Sequence, residues 1–378
     1  MVRKISMVLV GLFFSSFAYG EQKYSLGFTM RNEYGGTTTA TKVGSGDEVK
    51  SNEARFGIKR ARLDFKGKLS DKANVRIRHR FDKSSDKMGN GKSGNLDFAY
   101  MDYKFHDMFT LRIGREYNFH GAAHGAFYSR DNYYSRPQGW FHFLNTDGLS
   151  GHMNFSGNKV SLYWFNSKET MSGTQTSPKA QGFGLLYRGD FGMFKPVFSV
   201  FNNPKGPRTE TTETIAGPLT RTTTAGKTKY TGTTTTTETS YEGGVADMAI
   251  SLGGQVNVAG AEIGLTIMDI TTAGQKVGGT QMKDTKLSTV GLEVVYKVNE
   301  FRPVLMFSSS NQKQDGNDES EMKWTKFALV LEWHPSGGGP AWYAGYSQDA
   351  SESGKASVTK VTQSRAYLGA FLDASKAF

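Results

Sequence analysis

Cysteine is absent from the 378 residues, which removes thiol nucleophiles, cysteine-ligated metals and any disulfide framework. Long apolar runs are missing as well. Past the first twenty positions, Phe327-Ala-Leu-Val-Leu331 is among the longest, far short of the ~20 residues a membrane helix needs. Helix signals are scarce, because no long stretch of 3.6-residue periodicity carries caps. No Gly-x-Ser-x-Gly segment occurs, so His79, His120, His124, His142 and His152 are read as polar wall or girdle residues, and no catalytic residue is assigned. His120 and His124 could hold a metal on a helix, but the glycines around them argue for a loop. Asp315 to Glu321 is acidic without the spacing of a calcium loop. No metal, no cofactor and no enzymatic activity are expected.

What is present begins with an export leader. Met1 to Lys4 is basic, Ile5 to Phe17 is mainly apolar, and Ala18-Tyr-Gly20 offers small residues before Glu21. Residues 1–20 are therefore expected to be a cleaved signal peptide, leaving 21–378 as one unit. At the other end, Ala366, Leu368, Ala370, Leu372, Ala374 and Phe378 share one parity, interrupted by Lys376, while Arg365, Tyr367, Gly369, Asp373 and Ser375 take the other. A strand sends alternate side chains to opposite faces, so this segment has a greasy face and a wet one. An aromatic C-terminus on such a strand, behind a signal peptide, points to a transmembrane antiparallel β-barrel of the Gram-negative outer membrane.

The rest of the chain reads as strand, long connection, strand, short turn. About sixteen strands are expected, with short periplasmic turns such as Ser70-Asp-Lys72 and Ser156-Gly-Asn158 alternating with long extracellular loops. One loop is expected from about Glu33 to Asn52, and another over Asn311–Met322. Residues 202–245 include threonine runs such as Thr233 to Thr237 and are read as an extracellular loop or hairpin. With Gly 45, Tyr 17 and Phe 26, the composition suits many turns and aromatic girdles.

Charge is unevenly placed. The formal net charge is +11, which in a secreted barrel suggests anionic solutes or lipopolysaccharide as partners and no nucleic acid. In Lys59 to Leu69, Ala61, Leu63, Phe65, Gly67 and Leu69 alternate with Arg60, Arg62, Asp64, Lys66 and Lys68. In Val75 to Phe81, Val75, Ile77 and Phe81 alternate with Arg76, Arg78 and Arg80. An Arg or Lys facing lipid near mid-membrane costs roughly 2–4 kcal/mol, so the basic parity is expected to line the lumen, with Arg112 on a nearby strand. Asp64, Asp82, Asp97, Asp102 and Glu116 are available to pair with these cations.

Phe56-Gly-Ile-Lys-Arg-Ala-Arg62, Leu63-Asp-Phe-Lys-Gly-Lys-Leu69, Leu96-Asp-Phe-Ala-Tyr-Met-Asp-Tyr103 and Leu111-Arg-Ile-Gly114 resemble the phosphate-selective porin O and P family. The likeness is clearest from about Arg55 to Gly114, and Arg115-Glu-Tyr-Asn-Phe119 departs from the family pattern. The resemblance implies a homotrimer of sixteen-stranded barrels with basic residues guiding anions. It also gives a place to the aromatic stretch 115–147, which follows the fifth strand where sixteen-stranded porins fold a loop inward; Arg115, Arg130 and Arg136 would be its constriction cations. The expected function is an outer-membrane porin with a water-filled channel for passive diffusion of small hydrophilic solutes, preferring phosphate-like anions. A general, weakly selective porin and a structural or adhesive barrel with a plugged lumen remain the alternatives.

Overall fold

The computed structural model describes residues 23–81, 96–116, 146–166, 181–205, 208–224, 227–242, 245–336, 340–354 and 358–377. The expected signal peptide and Phe378 lie outside them. Among the described residues every regular element is a strand. In chain order these are β1 (Tyr24–Val43), β2 (Val49–Lys68), β3 (Ala73–Arg80), β4 (Leu96–His106), β5 (Phe109–Glu116), β6 (Thr146–Phe155), β7 (Asn158–Asn166), β8 (Gln181–Arg188), β9 (Phe194–Lys205) and β10 (Arg208–Thr224). They continue with β11 (Lys227–Tyr241), β12 (Val245–Val258), β13 (Ala261–Thr272), β14 (Lys276–Val277), β15 (Thr280–Gln281), β16 (Thr285–Tyr296), β17 (Phe301–Gln314), β18 (Asn317–Trp333), β19 (Ala341–Ser353) and β20 (Thr359–Ala377).

Sixteen of these close into an antiparallel barrel, from β1 through β9, then β12, β13 and β16 to β20, with β20 paired back onto β1. Closure leaves no strand edge, and every barrel strand finds partners for its peptide groups on both sides. The alternation read in the sequence is the reason. On β17, Leu305 and Phe307 point out and are exposed, while Val304, Met306 and Ser308 point in and are buried. Short turns hold one rim. Ser156–Gly157 and Ala259–Gly260 each place two successive residues at positive φ, the backbone twist that suits two-residue hairpins.

Some long connections are shorter than expected. The stretch from Glu33 to Asn52 is mostly strand, since β1 runs to Val43 and β2 starts at Val49, in register as far as Thr41↔Val49. Its threonines are good strand formers, and each strand supplies the other's hydrogen bonds. β17 and β18 likewise shorten the expected 311–322 loop to a turn after Gln314.

Four further strands stand outside the barrel as a second sheet, ordered β10-β11-β14-β15. The long hairpin of this sheet is the threonine-rich segment, with β10 and β11 antiparallel from Arg208↔Tyr241 to Thr224↔Lys227.

Two bulges correct the simple parity. Arg31 faces Arg60 but Asn32 faces Ile58, so Lys59 is an extra residue in β2. Phe56 and Ile58 share even numbers with Arg60 and would otherwise point inward. The bulge flips the phase, leaving both among the exposed apolar side chains and Arg60 and Arg62 buried. The second bulge is Asp97, skipped between Arg78↔Phe98 and His79↔Leu96.

Candidate functional site

The inner face of β2 and β3 is a ladder of cross-strand pairs: Arg62↔Arg80, Asp64↔Arg78, Lys66↔Arg76 and Lys68↔Asn74. Like charges set directly opposite repel, and the first pair is tolerated with acids at hand. Asp97, wholly buried at its bulge, has Oδ2 3.1 Å from Arg62 Nε. Asp64 serves two arginines at once. Arg76 donates from Nε and Nη2 to its two oxygens at 2.9 and 2.6 Å, and Arg78 donates from Nε and Nη2 to Oδ2 at 3.0 and 2.5 Å. Both guanidinium centres also sit over the Phe98 ring, at 4.6 and 4.7 Å, where an aromatic face attracts a cation.

The next two strands repeat the device. Arg112 donates from Nε and Nη2 to Asp102 at 2.7 and 3.0 Å and from Nη1 to Glu116 at 3.0 Å. Its guanidinium centre lies 3.7 Å from the Tyr100 ring centre. Space for Tyr100 comes from Gly114 opposite it, at φ +126°, where an added Cβ would meet the Ala99 carbonyl oxygen at 2.2 Å. Behind Arg112, Glu116 accepts from Ser150, and the chain continues through His152 Nε2 at 3.1 Å and Ser161 at 2.9 Å from His152 Nδ1. All of these are buried.

Each basic residue expected in the lumen can now be placed. Arg60 is buried on the inner face, its guanidinium 5.8 Å from the Phe371 ring centre. Lys66 is exposed and makes no hydrogen bond or ion pair with the described residues. Lys68 turns to Asp71 in the β2–β3 turn at 2.5 Å. Arg115 belongs to the end of β5, opposite Asp147, to which it donates from Nε and Nη2 at 2.7 and 3.0 Å. Arg130 and Arg136 lie outside the described residues, with His120, His124 and most of the 115–147 stretch.

Sequence reasoning missed a second charged cluster at the seam where β1 meets β20. Glu33, fully buried, is reached by Arg31 at 2.8 Å, Lys59 at 4.0 Å and Arg365. Arg31 Nε also donates to the Tyr343 hydroxyl at 2.8 Å. Arg31 and Arg365 each lay on the polar parity of an alternating segment, so the signal was present; their meeting across 334 positions was not. Lys159 and Arg188, direct neighbours across β7 and β8, were also missed, each being a single charge beside a turn.

The far wall is dry. Phe201, Val197, Ala249 and Met268 on β9, β12 and β13 are at most 1% exposed. Val295, Val304, Met306 and Val330 on β16 to β18 are as well. These point inward by register yet meet no water, and Ser199, Ser251, Thr266, Thr289 and Glu293 on the same inner faces are as deeply buried, so this wall is a packed mixture of apolar and polar side chains and not the wetted lumen face expected from strand alternation. Inner-face residues open to water include Lys66, and in part Arg76, Arg78, Arg112 and Arg365.

The closed sixteen-stranded barrel agrees with the family match. Residues 28–302 match the family described as phosphate-selective porin O and P. The chain belongs to this family. It is an outer-membrane porin, a channel-forming barrel. A comparison with curated proteins finds no match. Solved structures share the fold at low identity. The outer membrane channel DcaP of Acinetobacter baumannii is 12% identical with a TM-score of 0.55, covering 93% of this porin and 97% of that chain. The anion-selective porin from Comamonas acidovorans is 13% identical with a TM-score of 0.54, covering 93% and 100%. OmpT of Vibrio cholerae in its trimer form is 11% identical with a TM-score of 0.52, covering 92% and 100%.

Proposed function

We propose that this porin prefers anions, passing small hydrophilic oxyanions of the phosphate type by passive diffusion. The carrying observation is the inner face of β2 from Arg60 onward and of β3, where Arg60, Arg62, Lys66, Lys68, Arg76, Arg78 and Arg80 accompany a single acid of these two stretches, Asp64. Because Arg76 and Arg78 share that carboxylate, the trio keeps a net positive charge at the water boundary. In a narrow lumen with low-dielectric walls such a field raises the local anion concentration. Guanidinium forks also match oxyanion geometry. The family description and the anion-selective neighbour agree in direction. The exposed apolar outer face, including Leu252, Leu265, Leu329 and Leu368, would meet lipid, lipopolysaccharide and neighbouring barrels, and supports a homotrimer. Of the 115–147 stretch, the part between β5 and β6 is proposed as the inward loop, its ends Arg115 and Asp147 belonging to the barrel wall.

The pairing of Arg112 with both Asp102 and Glu116 favours a second reading, a general and weakly selective pore, because there two acids outweigh one cation. Reversal potential in a salt gradient decides. The Arg76→Ala, Arg78→Ala, Arg80→Ala variant leaves Asp64 facing water alone and should shift the potential toward cations, more at low salt where screening is weaker. An unchanged potential would leave the weakly selective pore as the reading.

A further inference from the structure

Four lumen arginines that are partly open to water stand over aromatic rings. The guanidinium centres of Arg76 and Arg78 lie 4.6 and 4.7 Å from the Phe98 ring centre, that of Arg112 lies 3.7 Å from Tyr100, and that of Arg365 lies 5.2 Å from Tyr367. Phe98 is 7% exposed, whereas the side chains of Arg76 and Arg78 are 24% and 20% exposed. Tyr367 at 6% and Arg365 at 27% repeat the order. A ring better covered than the cation over it puts the guanidinium group between the ring and the water. One face of each group is therefore against the wall and the other is toward the lumen.

The edges of these groups are engaged. Guanidinium N–H bonds lie in the plane of the group, and acids hold them there. Arg112 uses Nε, Nη1 and Nη2 on Asp102 and Glu116, while Arg76 and Arg78 both use Nε and Nη2 on Asp64. A ring behind and carboxylates at the edge fix the plane. A solute arriving here meets fewer open N–H forks than the number of arginines implies, and several flat cationic faces. Lys66, exposed and directly opposite Arg76, adds a point charge on a flexible stem beside them.

We propose that this wall binds small aromatic carboxylates in preference to aliphatic carboxylates and inorganic oxyanions of equal charge. The inference rests on the anion-preferring reading and narrows it. The ring of the solute stacks on the open faces of Arg76 and Arg78, and its carboxylate takes the Lys66 ammonium. This repeats on the lumen side what Phe98 does on the wall side, since a guanidinium plane attracts and stacks on an aromatic face. An aliphatic acid meets the same charge without the stack. Phosphate finds the forks that match it already occupied by Asp64.

The test uses the full-length porin in planar bilayers and reads block of the potassium chloride current by benzoate and by cyclohexanecarboxylate. The two probes carry the same charge and ring size, but only benzoate is flat and carries a π-system, and the saturated ring is the more apolar. Benzoate is expected to reach half-block at a roughly 3- to 10-fold lower concentration. The Arg76→Lys, Arg78→Lys variant keeps the charge and removes the flat faces, and should bring the two probes together. Half-block at equal concentrations in the parent, or tighter block by cyclohexanecarboxylate, would overturn the proposal. Neither result touches the anion-preferring reading, which stands or falls on the parent's reversal potential in potassium chloride alone. An unchanged benzoate preference in the lysine variant would overturn the proposal too, by placing the stack elsewhere. Where the double variant does not insert, the parent and Arg78→Lys, which leaves Arg76 on Asp64, decide by the same criteria.

Discussion

Arg76 holds Asp64 with both arms of its guanidinium group, Nε on one carboxylate oxygen at 2.9 Å and Nη2 on the other at 2.6 Å. The same acid also carries Arg78, so removing it affects two cations at once. Asp64→Asn should raise anion preference in a salt-gradient measurement, because two adjacent guanidinium groups then face the lumen uncompensated. It should also destabilise the barrel by on the order of 2–3 kcal/mol, read as a lower unfolding midpoint in detergent. A shift toward cations would mean that the field on this wall is set by something other than these three groups.

Gly114→Ala is expected to block assembly. The glycine sits at φ +126°, and a methyl group there would also come within 2.8 Å of the Tyr100 Cα. Backbone strain of this kind costs roughly 1–3 kcal/mol before any clash is counted. Loss of the heat-modifiable band on gels is the readout, and normal folding of the variant would show that β5 can yield at this point.

Acid should loosen one turn before the barrel. The Glu300 carboxylate accepts from Trp333 Nε1 and from the Ser336 backbone N–H, each at 2.8 Å, and bonds to Ser336 and Trp333 pull its pKa from 4.5 to about 2. A lowered folded value means this contribution is complete above about 4.5 and fades as pH falls toward about 2. Trp333 fluorescence should change across that window in the parent. In Glu300→Gln the change should be absent, and an identical titration would exclude Glu300 as its source.

The dry far wall predicts an asymmetry. Phe201→Ala leaves a cavity among Tyr163, Phe165 and Ala249 and should cost about 3–5 kcal/mol, with little effect on conductance because no water reaches the site. Lys66→Ala, on the open wall, should do the reverse, changing conductance at low salt with little loss of stability. Conductance changes of equal size in both would mean that the water path touches both walls.

How far the sequence can be read depends on the strand. In β2 and β3 strict alternation of arginine with apolar residues displays both faces, and the register agrees with it. In β9, Phe194-Lys-Pro-Val-Phe-Ser-Val-Phe201 keeps only apolar residues on the even parity and mixes Lys195 and Ser199 with Val197 and Phe201 on the odd one, so the pattern marks the inward face but does not choose a packed face over a wet one. That choice is made by neighbours: Gly184 lies opposite Phe201 and leaves room for its ring, which would crowd a Cβ at 2.2 Å. The Lys59 bulge left no mark either, because neither glycine nor proline occupies the extra position. Sixteen strands were countable from the alternation of connection lengths, whereas the Glu33 cluster depends on contacts between the two ends of the chain. Side chains that meet across the whole sequence leave no local period to detect.

That last contact sets an order of events. Arg31 reaches Tyr343 across 312 residues, and β1 pairs with β20 along nearly its full length. A nascent chain that ends before Thr359 has no partner for one side of β1. In hydrocarbon each stranded peptide group would cost several kcal/mol, so closure must wait until β20 is in place. Until then the first strand has to be kept from unrelated edges, and contacts of such long separation form slowly. The nineteen residues of β20 therefore act as a sealing check: a chain that lacks this strand cannot close the barrel around β1.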